Sequence, residues 1–159
     1  MTFTPFIKGL ITSILMIAIF LLIYLWGDKA NTSLQYLVYL VYGLGIYWAI
    51  SVYRRSDQFT GKFGDLFLQG FKCFIVVTLA MALFYGIFNY LHPQFAEESA
   101  KLYREQLTSE KKLPSDIESE TATYKKQYSL RLISGAIFGY LIIGAAVSAL
   151  ISAISFRRK

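Results

Sequence analysis

The chain has 159 residues, of which 55% are hydrophobic and only 16% are charged, and its formal net charge is +6. Soluble domains carry roughly 25% charged residues, so the composition argues against a soluble globular protein. A single cysteine and a single histidine leave no residues for an intrachain disulfide or a zinc site, and we predict neither a metal nor a cofactor.

Four long stretches without Asp, Glu, Lys or Arg indicate membrane-spanning helices. A bilayer core takes about 20 apolar residues in a helix, because the backbone must satisfy its own hydrogen bonds there. The predicted spans cover residues 7–26, 34–53, 71–91 and 132–156. The first apolar run ends without a small-residue cleavage pattern, so we interpret it as a retained span and not as a signal peptide.

The stretch between spans two and three is predicted to form an amphipathic helix over residues 59–70. Phe63 and Phe67 share one face at helical spacing, and Lys62 and Lys72 lie on the other. Such helices lie in the plane of the headgroups, where their basic residues favour anionic lipids. We therefore predict that these four side chains contact the membrane surface.

The charged segment of residues 92–128 is predicted to form a helical hairpin outside the bilayer. Its second helix begins near Pro114, where Ser115 and Glu118 fit a capping box. If that helix continues into span four, it has about 40 residues and a length of about 60 Å at 1.5 Å per residue. A charged loop without regular structure is the alternative.

Basic residues concentrate on one side of the predicted membrane. Four spans place both termini on that side, together with the loop between spans two and three. Eight basic and two acidic residues lie there, which accounts for the whole net charge of +6. The basic ones are Lys8, Arg54, Arg55, Lys62, Lys72, Arg157, Arg158 and Lys159. The positive-inside rule therefore predicts that both termini are cytoplasmic.

Span two carries three tyrosines away from its ends, namely Tyr39, Tyr42 and Tyr47. A tyrosine within lipid needs a hydrogen-bond partner for its hydroxyl group. One interpretation is packing against neighbouring helices, with the hydroxyls bonded across the contact. The other is a face that lines a site for a lipid or another ligand.

Span four is rich in small residues. Gly135 and Gly139 form a G-x-x-x-G pair, while Gly144, Ser148 and Ser152 form a second row at the same spacing. Small residues let the backbones of membrane helices approach closely. Both rows are therefore predicted to pack helices, either within the chain or against a second chain.

No ionisable residue is predicted deep within a span, which argues against ion-coupled transporters, proton relays and voltage sensors. The sequence also lacks a phosphate-binding loop, a nucleophile elbow, a metalloprotease motif and a dinucleotide fingerprint. We therefore predict no catalytic residues and no enzymatic activity.

Three segments resemble one known family. Residues 61–72 are similar to an F-G-x-x-F-x-x-G-F-K lead into a span, residues 89–95 to an aromatic exit with proline, and residues 144–153 to a closing G-x-x-x-S-x-I-x-A helix. Together they resemble the bacterial multi-pass membrane family called domain of unknown function 4199. The resemblance implies four spans, an outer segment between spans three and four, and a bacterial inner membrane. It implies no activity, and some members lie beside membrane glycosyltransferases in their genomes.

These observations favour a non-catalytic accessory or scaffold subunit of an inner-membrane assembly. Its expected partners are the lipid bilayer and a second copy or another membrane protein, with a glycosyltransferase suggested by family association only; no nucleic acid is expected. The alternative is a module that binds or transports a lipid or a lipid-linked small molecule through the tyrosines. A membrane enzyme is the least supported reading.

Overall fold

The computed structural model describes residues 4–26 and 35–157, which contain five α-helices and no β-strand. The helices are α1 (Pro5–Trp26), α2 (Gln35–Arg54), α3 (Phe63–Leu91), α4 (Gln94–Ser109) and α5 (Pro114–Arg157). Four of them, α1, α2, α3 and α5, are long and apolar enough to cross a membrane. The prediction of an all-α membrane protein with four spans is therefore confirmed.

Some predicted features lie outside the described residues. They are the start of span two at residue 34 and the basic residues Arg158 and Lys159.

The third membrane helix begins earlier than the sequence pattern predicted. α3 starts at Phe63 and is continuous, so a separate in-plane helix over residues 59–70 is not present. Leu66 is fully buried and Gly70 is also buried. The face of α3 that carries these two residues therefore points towards other helices. The physical reason is that the apolar stripe continues in helical register to Val77, and no proline interrupts it.

The last helix confirms one prediction and corrects another. α5 is a single helix of 44 residues, so the second outer helix does continue into span four. The predicted capping box is not formed, because Pro114 is already helical and the Leu113 carbonyl accepts from the amides of Asp116 and Ile117, each at 3.0 Å. The Ser115 hydroxyl instead lies 3.5 Å from an Asp116 carboxylate oxygen. Proline suits the first helical position, where an N–H would have no helical partner.

The chain forms two compact units. The first unit comprises residues 1–81 and 137–159, and the second comprises residues 82–136.

In the first unit, α1 and α2 pack side by side and run in opposite directions. The ammonium group of Lys8 lies 5.7 Å from the ring centroid of Trp48. One turn further along α1, Thr12 contacts Gly45, which is nearly one turn earlier in α2. The start of α1 therefore lies beside the last turns of α2.

Also in the first unit, α3 and α5 run antiparallel. Gly70 contacts Ser148, whereas Phe74, further along α3, contacts Gly144, which is earlier in α5. Ile50 also contacts Gly70 and so brings the end of α2 to the same place. One end of this unit thus gathers the start of α1, the end of α2, the start of α3 and the end of α5.

The second unit contains a helical hairpin formed by α4 and the first part of α5. Tyr103 of α4 stacks on Tyr124 of α5 with ring centroids 4.4 Å apart. Lys125 forms an ion pair with Glu97, with Nζ 2.9 Å from Oε1. The hydrogen bond from Lys125 lowers the pKa of Glu97 below its usual value. The predicted hairpin is present; its position outside the bilayer stays a prediction.

Candidate functional sites in the membrane helices

The structure separates the three tyrosines of α2. Tyr42 is fully buried, and its hydroxyl donates to the carbonyl oxygen of Tyr140 at 2.8 Å. Tyr39 and Tyr47 are 44% and 52% exposed. Five residues of helix place Tyr47 about 140° around the axis from Tyr42. Tyr42 therefore packs against a neighbouring helix, whereas Tyr39 and Tyr47 are partly exposed. That these two tyrosines face a lipid or another ligand stays a prediction.

The second small-residue row of α5 lies in the helix contacts of the first unit. A Cβ atom at Gly144 would lie 2.7 Å from Cγ of Phe74, and a Cβ atom at Gly70 would lie 2.6 Å from the Ser148 hydroxyl. Real Cβ atoms essentially never approach another atom within 3.0 Å. Ser148 and Ser152 are both fully buried. Glycine and serine thus allow α5 to approach its neighbours closely.

The first small-residue row is placed differently. Apart from the adjoining residues and backbone of α5 itself, no described atom lies within 4 Å of a Cβ added at Gly135 or at Gly139. Gly135 and Gly139 thus show no close contact of the kind seen at Gly144. Contact with a second chain stays a prediction.

The residues predicted at the membrane surface lie at or near the start of α3. Phe63 is 41% exposed, and its ring stacks on Phe67 with centroids 6.3 Å apart. Lys62 and Lys72 are both exposed. Their contact with headgroups stays a prediction.

Lys8 is the residue that the sequence interpretation missed. The sequence predicts Lys8 only as one of the basic residues on the cytoplasmic side, yet it is the fourth residue of α1 and only 3% exposed. The prediction of no ionisable residue deep within a span is not contradicted, because Lys8 lies in the first turn of α1. The sequence contains a signal that Lys8 lies inside the helix. Proline is favoured at the first helical position, so Pro5 would start the helix before Lys8.

The neighbours of Lys8 satisfy backbone groups and leave its ammonium group without an acidic partner. The Thr12 hydroxyl donates to the Lys8 carbonyl at 2.8 Å. Gly9 packs so closely on α3 that an added Cβ would lie 2.7 Å from the Cys73 carbonyl oxygen. Within residues 4–26 and 35–157, no carboxylate forms an ion pair with Lys8; the ion pairs found there belong to the second unit.

Comparison with known families identifies this architecture. The family described as "Protein of unknown function (DUF4199)" matches residues 8–158. The chain belongs to this family. The match begins at Lys8 and extends into the basic C-terminal end, so the DUF4199 region includes nearly all of α1 and the complete helices α2 to α5. No curated protein and no solved structure shows a significant match to the chain.

The described part of the chain offers no obvious metal site. Among those residues, no group of three or more His, Cys, Asp or Glu side chains is arranged to hold a metal ion.

Proposed function

We propose that this DUF4199 protein is a non-catalytic accessory or scaffold subunit of a bacterial inner-membrane assembly, with both termini in the cytoplasm. The observation that carries the proposal is the open face of α5 at Gly135 and Gly139, where a side chain would meet no described atom. Such a face lets the backbone of another membrane helix come close.

The cost of these glycines supports a packing role. A glycine inside a helix is roughly 1 kcal/mol less favourable than alanine. At Gly144 the close contact with Phe74 explains the absence of a side chain, but Gly139 has no such contact within the described residues. A partner helix on this face would explain both the space at Gly139 and the exposure of its neighbours Phe138 and Ile142.

The basic residues at one end of the first unit support the cytoplasmic assignment of the termini. The last turn of α2 carries Arg54, the first turns of α3 are flanked by Lys62 and Lys72, and α5 ends at Arg157. Positive charge at the ends of spans favours the cytoplasmic side.

Affinity purification at native expression level in a mild detergent, followed by mass spectrometry, tests the scaffold role. The wild-type chain is expected to retain a defined membrane protein or a second copy, and Gly139→Leu is expected to lose it. The matched control is Gly43→Leu, since a Cβ at Gly43 also meets no described atom but lies on α2. Recovery of the wild type alone, or equal recovery of the partner by both variants, would contradict the proposal.

The alternative function, binding or transport of a lipid-linked molecule, receives little support from the tyrosines. The Tyr42 hydroxyl is occupied by the Tyr140 carbonyl, and its ring meets the Tyr140 ring edge-on at 5.4 Å. A tyrosine-lined site would need Tyr42 to leave this contact.

A further inference from the structure

We propose that Lys8, held beside Trp48, binds the phosphate group of one anionic phospholipid in the seam between α1 and α2. The proposal goes beyond the scaffold role and does not depend on it. It rests on a buried lysine whose ammonium group has no acidic partner in the described chain, and on the place of that lysine in the first unit.

The ammonium group of Lys8 has unmet hydrogen-bonding capacity. A lysine head carries three N–H donors. The face of the Trp48 ring, 5.7 Å away, attracts the charge but accepts at most a weak bond. Because the residue is only 3% exposed, little water reaches it in the isolated chain. A charge withdrawn from water in a membrane helix normally has a counter-charge or marks a binding site.

The first unit contains few groups that could supply this counter-charge. Its acidic residues in the described ranges are Asp57 and Asp65. Asp65 accepts a hydrogen bond from Thr60, and Asp57 lies in the connection between α2 and α3. Neither pairs with Lys8. An anion from outside the described chain is therefore the missing partner.

The position of Lys8 favours a lipid headgroup as the source of that anion. Lys8 lies in the first turns of α1, and Trp48 lies six residues before the end of α2, or about 9 Å at 1.5 Å per residue. Tryptophan and lysine are typical of the headgroup level, where a lysine covers its stem and directs its charge towards phosphates. The exposed Lys72 and Arg157 at the same end raise the local concentration of anionic lipid.

The side chain of Lys8, and not the helix amides, is the donor in this site. Thr4 already accepts from the first turn of α1, with its carbonyl 3.1 Å from the Lys8 amide and its hydroxyl 3.4 Å from the Ile7 amide. Removal of the Lys8 charge should therefore weaken phosphate binding, even though the helix end remains in place.

Native mass spectrometry of the purified full chain tests the site, with phosphatidylglycerol and phosphatidylcholine supplied at equal concentration. The wild type is expected to retain one phosphatidylglycerol in preference to phosphatidylcholine. Lys8→Gln should weaken that retention about tenfold or more, as expected when one member of a desolvated charge pair is removed. The matched control Lys72→Gln removes the same charge from an exposed side chain at the same end and should weaken retention far less than Lys8→Gln, because it removes only part of the diffuse attraction.

Additional variants and a phosphate competition distinguish the proposed site from diffuse attraction and from a free-phosphate site. Lys8→Arg should retain the lipid, and Trp48→Leu should weaken retention although it leaves every lysine of the chain in place. If Lys8→Gln fails to fold, Trp48→Leu carries the test, and phosphatidylglycerol should raise the melting temperature of the wild type more than that of Trp48→Leu. Equal losses in Lys8→Gln and Lys72→Gln would overturn the proposal in favour of diffuse attraction. Displacement of the lipid by millimolar inorganic phosphate would overturn the lipid assignment in favour of a free-phosphate site.

Discussion

The first unit and the hairpin of the second unit hold their helices together by different means. In the first unit, glycine and serine allow close backbone approach, and the Tyr42 hydroxyl bonds a backbone carbonyl. In the hairpin, a tyrosine stack and exposed ion pairs such as Glu97 with Lys125 join the two helices. The difference agrees with the predicted environments, which are lipid for the first unit and water for the hairpin. Membrane helices associate by close packing, whereas charged side chains can pair at little cost only where water solvates them.

This comparison predicts that the two units differ in how they respond to mutation. A change that adds volume should be severe where helices touch through glycine. A change that removes one surface charge should be mild, since exposed ion pairs contribute little to stability.

The largest expected effect is a difference in cysteine labelling between the hairpin and the connection after α2, which are predicted to lie on opposite sides of the membrane. A cysteine introduced at Ser119, which is exposed in the hairpin, should react with a membrane-impermeant maleimide added outside intact cells. A cysteine at Ser56, in the connection after α2, should react only after the cells are opened. The native Cys73 is buried and serves as the background. The reverse labelling pattern would place the hairpin in the cytoplasm.

Gly144→Leu should be the most damaging of the single substitutions considered. The new side chain would overlap Phe74 and the Tyr42 hydroxyl, and such overpacking typically costs about 1–3 kcal/mol or more. Thermal unfolding in detergent should show a clear fall in melting temperature for Gly144→Leu and little change for the open position Gly43→Leu. Equal melting temperatures would show that α5 does not pack through Gly144.

Tyr42→Phe should have an intermediate effect. It removes the hydrogen bond of 2.8 Å to the Tyr140 carbonyl but keeps the ring, and a typical net loss is about 0.5–1.5 kcal/mol. The control is Tyr47→Phe, because the Tyr47 side chain is largely exposed. If both variants unfold at the same temperature, the Tyr42 hydroxyl bond contributes nothing to packing.

The smallest expected effect is the pH dependence of the hairpin. Lys125 lowers the pKa of Glu97 in the folded state, so the ion pair stabilises the hairpin above the unfolded-state pKa of about 4.3. That stabilisation is lost as the pH falls through the lower folded-state pKa. Hydrogen exchange of α4 should therefore increase slightly more on acidification in the wild type than in Glu97→Gln. An identical increase in both proteins would show that the ion pair between Glu97 and Lys125 does not stabilise the hairpin.

Features set by local pattern could be predicted, and features set by neighbouring helices could not. The unbroken course of α5 follows from a helical pattern without proline after Pro114. The start of α3 could not be predicted because its apolar stripe has the pattern of a lipid-facing surface. Only the tertiary structure shows Ile50 of α2 and Ser148 of α5 against Gly70 in this stripe. The open position of Gly139 and the close contact of Gly144 have the same sequence signature, and only the packing distinguishes them.

The amino-acid sequence by itself determined which segments can span a membrane, because long uncharged runs must be helical in lipid. It therefore determined the four spans. Only the tertiary structure decided which side chains of each helix meet. Lys8 illustrates the distinction: its position at the edge of a span is written in the sequence, but its burial beside Trp48 depends on the contact between α1 and α2. A charge has a functional meaning only once its neighbours are known, since burial without a counter-charge is what calls for a ligand.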